Sequence, residues 1–427
     1  MEIIFLIALL FILIFSAIPI CWAIGIVGVV GLFLVDGNPI TMIPQCLYSG
    51  INYYTLIAVP FFVFAGEIMN KGGITEKLIN LSKLIIGRIP ASLAQVNILA
   101  SMFFGGITGS AQADTACIGG ILIPAMVKDG YTPEESVAVT ASSSCIGPII
   151  PPSIIMVLYG STMNVSIGKM FMGSLLPGIL VGIGLMCVVA VRDRIYHFPR
   201  STKKYSKTEV KSILIDALIP LGMPIVLMGG ILTGIFTATE AGAVAVLYSL
   251  IVSVFFLKTV KAKDLLTMLK TAAQTTGAIL IIVGCSKILS WVMALLHISA
   301  SMEYFFSTYV NSQIMFLLLV NLLLLFVGTF MDASASLILL APILAPIAVS
   351  YGVDPIQFGI IMCINLVIGH ATPPLGLCLF IACKIGRVSL AKGGKAILPY
   401  VLGEVVVLLL VTYIPWITSI LPSLMSA

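Results

Sequence analysis

A chain of 427 residues that is 60% hydrophobic and 9% charged, with a mean hydropathy of +1.18, has too little polar surface to coat a soluble globule. Its formal charge of +5 is explained below by loop placement and implies no nucleic-acid partner. Nine cysteines fall singly in apolar segments, which excludes a disulfide framework or zinc cluster and leaves an all-α polytopic membrane protein.

The N-terminal apolar run from Ile3 to Val35 lacks a basic leading region and is too long for a signal peptide, so no cleavage is expected. A spanning helix needs about 20 predominantly apolar residues. Ten stretches qualify: 3–18, 20–35, 52–70, 134–160, 171–191, 213–235, 238–257, 272–296, 356–383 and 397–420. Pro19 alone separates the first two, which also read as one kinked unit. Two more apolar stretches, 91–127 and 313–350, carry Gly, Ser and Asp at their centres and read as re-entrant hairpins. Each arm of about 15–18 residues reaches roughly 22–27 Å, deep into a bilayer but not across it.

Twenty of the 22 Lys and Arg residues fall between Lys71 and Arg88, at Lys128, and in the segments Arg192–Lys211, Lys258–Lys270 and Lys384–Lys395. If both hairpins return to the side they enter from, all of these basic segments share one face, the cytoplasmic one. Both termini are then periplasmic. Ahead of the first hairpin, Ile74, Leu78, Leu81 and Ile85 lie at helical spacing beside Lys77, Lys83 and Arg88, the pattern of a helix lying flat on the membrane surface. Residues 299–312 and Lys258–Lys270 are expected to form comparable arms.

Residues 104–152 align without gaps on 326–374, always 222 residues further on. The matches include Gly106 with Gly328, Pro124 with Pro346, Gly147 with Gly369, and both Pro-Pro pairs. A fixed register of Gly and Pro marks shared backbone geometry, hence an internal duplication. Five spans per copy make the copies inverted. Residues 1–191 form the first inverted repeat, 192–212 a cytoplasmic linker and 213–427 the second repeat, a plan associated with secondary transporters that bind at the midplane.

Within each copy the hairpin is followed by a span with a broken middle. Adjacent prolines at 151–152 and 373–374 release backbone carbonyls, and hydroxyls and an asparagine amide stand about a turn before. These neutral oxygens, with the loose ends of the half-helices, suit a hard monovalent cation such as sodium. One cation site is expected from Gly109, Ser110, Asp114, Ser143, Ser144 and Gly147, and its counterpart from Gly328, Thr329, Asp332, Asn365, Gly369 and Thr372. Ser142, Pro148, Pro151, Ala371 and Pro373 are expected to face the substrate. Simpler roles stand beside these: Ser110 and Asp332 are good N-caps for the returning arms, and Gly-Pro kinks shape bundles without binding anything. Lys287, inside the eighth span, reads as a snorkelling or interhelical lysine or as an attractor of anions. His370 reads as a kink filler or a proton carrier, and Glu240 and Glu404 as residues near span ends. No GxxxxGK[ST] run, nucleophile elbow or HExxH pair is present, so the motifs point neither to an ATPase nor to those enzyme classes.

The hairpin tips, the run Gly147-Pro148-Ile149-Ile150-Pro151-Pro152-Ser153 and the run Ala371-Thr372-Pro373-Pro374 resemble the large membrane subunit, the DctM-like M subunit, of tripartite ATP-independent periplasmic (TRAP) transporters. The resemblance covers essentially the whole chain. It implies sodium-coupled import of an organic acid, of sialic acid or C4-dicarboxylate type, across the bacterial inner membrane. It further implies an elevator in which residues 91–191 and 313–421 slide against a scaffold of 1–70 and 213–296. Two partners are implied, a small four-helix TRAP membrane subunit and a periplasmic substrate-binding protein. Because the sequence starts at its first span, the small subunit is expected to be a separate polypeptide. A stand-alone channel or proton antiporter working through Asp114 and Asp332 is the competing reading.

Overall fold

The computed structural model describes residues 2–16, 18–35, 40–200, 205–297, 302–303, 306, 308–310 and 312–425. Every regular element among them is helical. Seven helices are long and apolar enough to cross a bilayer, or eight when the bent pair Met42–Ile51 and Tyr54–Lys71 counts as one; two of the seven, Gln313–Phe330 and Ala333–Ser350, are the arms expected to form the second re-entrant hairpin. The sequence expects more spans because several are assembled from short pieces. The helices Glu2–Phe15 and Ile20–Leu34, of 14 and 15 residues, are divided at Pro19. The broken spans consist of Pro133–Ser144 with Ile154–Met163, and Pro355–Gly369 with Leu377–Gly386.

Three expectations need correction. A helix not expected from the sequence, Met42–Ile51, precedes the third span and is bent by 58° from Tyr54–Lys71. The polar Gln45 and Ser49, with Gly50, hide that first piece from a hydropathy reading. The arm expected at 258–270 is not a separate surface helix. It is the start of one 34-residue helix, Ala262–Leu295, about 51 Å long and so longer than a bilayer core is thick. The linker expected over 192–212 is drawn in at both ends, since one helix runs on to Tyr196 and the next starts at Lys207 behind a Ser206–Glu209 capping box. Half of the arm at 299–312 lies outside the described residues, as do 201–204 of the linker.

Helix Ile74–Ile86 follows its amphipathic pattern. Ile74, Leu78 and Leu81 are buried, the helix packs on Ser92–Thr108 and Lys207–Leu232, and Lys77 pairs with Asp216 at 2.8 Å. The first hairpin comprises Ser92–Thr108 and Ala111–Lys128, the second Gln313–Phe330 and Ala333–Ser350. Both pack with the broken spans and with Ile167–Tyr196 and Leu390–Tyr413 around one large core. A second, smaller core joins Ile20–Leu34 to Ala262–Leu295 through Ile24, Val27, Cys285 and Ile288. At the edge of the large core a partly buried ion pair ties three helices together: Arg192 donates to the buried Glu135 at 2.8 Å, and the Tyr400 hydroxyl donates to the same carboxylate.

Candidate substrate and ion site

The hairpin turns are built by their caps. Helix Ser92–Thr108 ends at Gly109 with φ +59°, a conformation that costs glycine little, and Ser110 caps the returning arm by accepting from the Ala113 N–H. In the second hairpin Met331 is extended and the Asp332 carboxylate accepts from the Ser334 N–H at 2.9 Å. Each tip then sits on the elbow of its own broken span. A Cβ on Gly109 would stand 2.6 Å from the Pro152 carbonyl oxygen, and the Ala333 N–H donates to His370 Nε2 at 3.0 Å. Because an elbow interrupts its span near the middle, both tips are held at mid-span.

The elbows are wound alike. The N–H groups of Cys145, Ile146 and Gly147 reach back only three residues, to Ser142, Ser143 and Ser144, and those of His370, Ala371 and Thr372 do the same to Val367, Ile368 and Gly369. Pro151–Pro152 and Pro373–Pro374 are both cis. The two elbows meet where the Cys145 thiol lies 3.2 Å from the carbonyl of Val367, its own equivalent 222 residues on.

Where the tips converge, Gln112 donates to Asp332 at 3.2 Å and a cavity of about 510 Å3 opens beside them. That is within the roughly 300–1,000 Å3 usual for small-molecule sites. Its wall repeats at the duplication offset: Ser110 with Asp332, Gln112 with Ser334, Pro148 with His370. The opposite wall is Ile20 of the second helix with Thr275, Ala278, Ile279 and Ile282 of the long helix. A small, mostly apolar chamber with a few hydroxyls, an amide, an imidazole and one carboxylate suits a polar organic molecule with an apolar side.

Behind the first tip lies a fully enclosed polar cluster. Asn97 donates to Thr140 at 2.7 Å, Ser101 to Ser143 at 3.2 Å, and Ser144 to the Thr140 carbonyl at 2.7 Å. Asp114 is buried there within reach of the Ser101 and Ser144 hydroxyls, but those protons go to Ser143 and to the Thr140 carbonyl, which leaves both carboxylate oxygens, like the hydroxyl of Ser142, without a well-formed hydrogen bond among the described residues. Unpartnered buried oxygens with hydroxyls around them fit a small hard cation. No group of three His, Cys, Asp or Glu side chains placed to hold a metal occurs among the described residues.

The second set is more dispersed. Gly328 and Gly369 touch backbone to backbone, and Asn365 donates to the carbonyl of Asn321 at 3.0 Å and to its side-chain oxygen at 2.8 Å. Asn365 Oδ1 is buried without a partner among the described residues. Thr329 and Thr372 spend their hydroxyl protons on the carbonyls of Phe326 and Ile368. Asp332 turns instead to Gln112 and the cavity, 4.0 Å from His370.

Of the residues expected to face substrate, Pro148 lines the cavity. Ser142, Pro151, Ala371 and Pro373 do not: Ser142 and Ala371 are fully buried, the Pro151 carbonyl lies against Gly106, and Pro373 lies against Gly394. The sequence reading missed Gln112, Ser334 and Thr275, and the partners Asn97, Ser101 and Asn321. Positions 112 and 334 are equivalent under the duplication and follow the N-caps by two, a signal that was available. Glu404, expected near a span end, is fully buried within Leu390–Tyr413, with neither carboxylate oxygen partnered among the described residues. Glu240 does sit at a helix start, in a capping box with Thr237.

Apolar spanning helices, two duplicated helix pairs with broken spans and a cavity where their tips meet fit a multi-pass membrane permease. The sequence profile described as "Tripartite ATP-independent periplasmic transporter, DctM component" matches residues 7–417, and the chain belongs to that family as a TRAP large permease. It is 36% identical over 414 residues to the sialic acid TRAP transporter large permease protein SiaM of Vibrio cholerae, covering 96% of both chains. It is 34% identical over 444 residues to the C4-dicarboxylate TRAP transporter large permease protein DctM of the same organism, covering 98% of both. The crystal structure of the YdaH transporter of Alcanivorax borkumensis shares the fold, with a TM-score of 0.63, 13% identity, and coverage of 92% of this chain and 91% of that one.

Proposed function

We propose that this permease imports an organic acid by symport with sodium, receiving it from a periplasmic binding protein and working beside a small four-helix membrane subunit in the bacterial inner membrane. The observation that supports this most is the cavity at the meeting of both hairpin tips, flanked by enclosed oxygens left without partners. Asp114, Ser101, Ser143 and Ser144, with the Gly109–Ser110 turn, would hold one ion. Asn321 and Asn365 at the Gly328–Gly369 crossing would hold a second, and Asp332, Ser110, Gln112, Ser334 and His370 would contact the acid. An occupied ion site fixes the hairpin tip that also forms the cavity wall, which couples ion binding to acid binding.

The cavity wall supports an elevator. One side comes from 91–191 and 313–421, and the other from Ile20 and the long helix, so sliding one part past the other carries the acid across. Relatives are named for sialic acid and for C4-dicarboxylates, and either class of acid is of a size for this chamber. Purified chain reconstituted with both partners in liposomes should accumulate labelled acid only under an inward sodium gradient. Uptake driven by a proton gradient without partners would instead establish the antiporter reading, for which the unpartnered Asp114 and Glu404 are the supporting observation.

A further inference from the structure

We propose that Lys287 is the centre of a second, smaller anion site, a station for a carboxylate between the central cavity and one end of the long helix. Thr275, Ala278, Ile279 and Ile282 of that helix line the central cavity; the next turns carry Ser286, Lys287 and Ser290, which line a separate cavity of about 100 Å3. Tyr53, Ser161 and Thr162 complete its polar wall.

Three observations make it an anion site. Lys287 is half-buried in a membrane-spanning helix, with no carboxylate within 4.0 Å among the described residues. Ser161 and Ser286 are 3% and 2% exposed, and neither hydroxyl has a hydrogen-bond partner among the described residues. Gly50 packs against the stem of Lys287, where a Cβ would come within 2.9 Å, and itself offers the lysine no side-chain partner. An ammonium has donors only, and hydroxyls with free protons add two more; a carboxylate satisfies both at once. An unpaired charge at membrane depth marks function by default.

The small volume takes a carboxylate head but not a whole acid of the size the central chamber admits. The wall draws Tyr53, Ser286, Lys287 and Ser290 from the proposed scaffold, and Ser161 and Thr162 from the proposed moving part. The site is therefore assembled in this arrangement and dismantled when the parts slide. That the carboxylate belongs to the transported acid rests on the function proposed above.

The test uses the purified full-length chain and sodium acetate at constant ionic strength against sodium chloride. Acetate should raise the melting temperature of the wild type, Lys287→Arg and a Lys258→Gln control, but not Lys287→Gln; Ser286→Ala, which keeps the charge, should need several-fold more acetate. In reconstituted transport, Lys287→Gln should raise KM about tenfold and leave Vmax within about twofold, a ratio worth about 1.4 kcal/mol. An acetate shift preserved in Lys287→Gln, an equal shift with chloride, or no shift in the wild type overturns the site. Should the acetate shift hold while uptake ignores sodium, the symport reading fails and the anion site stands.

Discussion

Gly369→Ala should loosen the second hairpin from its broken span. A Cβ there would stand 2.5 Å from Gly328 Cα and carbonyl carbon and 2.7 Å from its oxygen, and all three atoms are backbone. Carbon atoms rest about 3.5–4.0 Å apart, so the two elements must separate by about 1 Å or more. Neither is free to do so, because Asn365 bonds to Asn321 and Ala333 to His370 on either side of the crossing. Overpacking of this kind costs about 1–3 kcal/mol, and the upper end applies where backbone meets backbone. Gly120→Ala is the control. Nothing lies within 4 Å of its Cβ, and mid-helix alanine gains about 0.5–1 kcal/mol over glycine. The two variants should therefore differ by about 2–4 kcal/mol in thermal unfolding of the purified protein followed by intrinsic fluorescence. Gly105→Ala, which would bring a Cβ within 2.9 Å of Gly147 Cα, should behave like Gly369→Ala. If Gly369→Ala melts together with Gly120→Ala, the crossing is not the joint described here.

Arg192→Met strands the buried Glu135 carboxylate and should cost about 3–5 kcal/mol in the same melts, much of it recovered in the Arg192→Met, Glu135→Gln double variant. Asn365→Ala leaves Asn321 Oδ1 without its donor in a buried site and should cost about 1–3 kcal/mol; it should also raise half-saturating sodium in uptake assays. Ser144→Ala should raise half-saturating sodium by about tenfold, equivalent to about 1.4 kcal/mol, and Asp332→Ala should raise half-saturating acid by a similar factor, while membrane insertion measured by protease protection is kept in both. Sodium activation unchanged in Ser144→Ala removes it from the ion site, and an unchanged response to acid in Asp332→Ala removes it from the acid site.

The hairpins were legible to within a residue or two because their turns are written in local chemistry. Gly109 supplies the left-handed backbone and Ser110 and Asp332 the caps, and each signal lies within a few residues of its effect. The elbows were legible for the same reason, since a Pro-Pro pair in an apolar run admits no continuous helix. Pairings across the fold were not. Gln112 meets Asp332 over 220 residues and Asn321 meets Asn365 over 44, and no local pattern specifies which polar side chains face each other. Glu404 shows the limit of hydropathy: the window around it registers an apolar helix with one charge, which says nothing of which helices enclose that charge. The helix Met42–Ile51 escaped because its polar residues dilute the window, although they are spaced for a helix with one wet face.

Alkylation of a Ser334→Cys variant, with the exposed Cys187 replaced by Ser, tests most directly whether the meeting point of the tips is where substrate and ion act together. Membranes containing the variant and both partners should react with a thiol reagent several-fold more slowly when sodium and the transported acid are both present than in potassium without the acid. Equal rates in the two conditions would contradict the account.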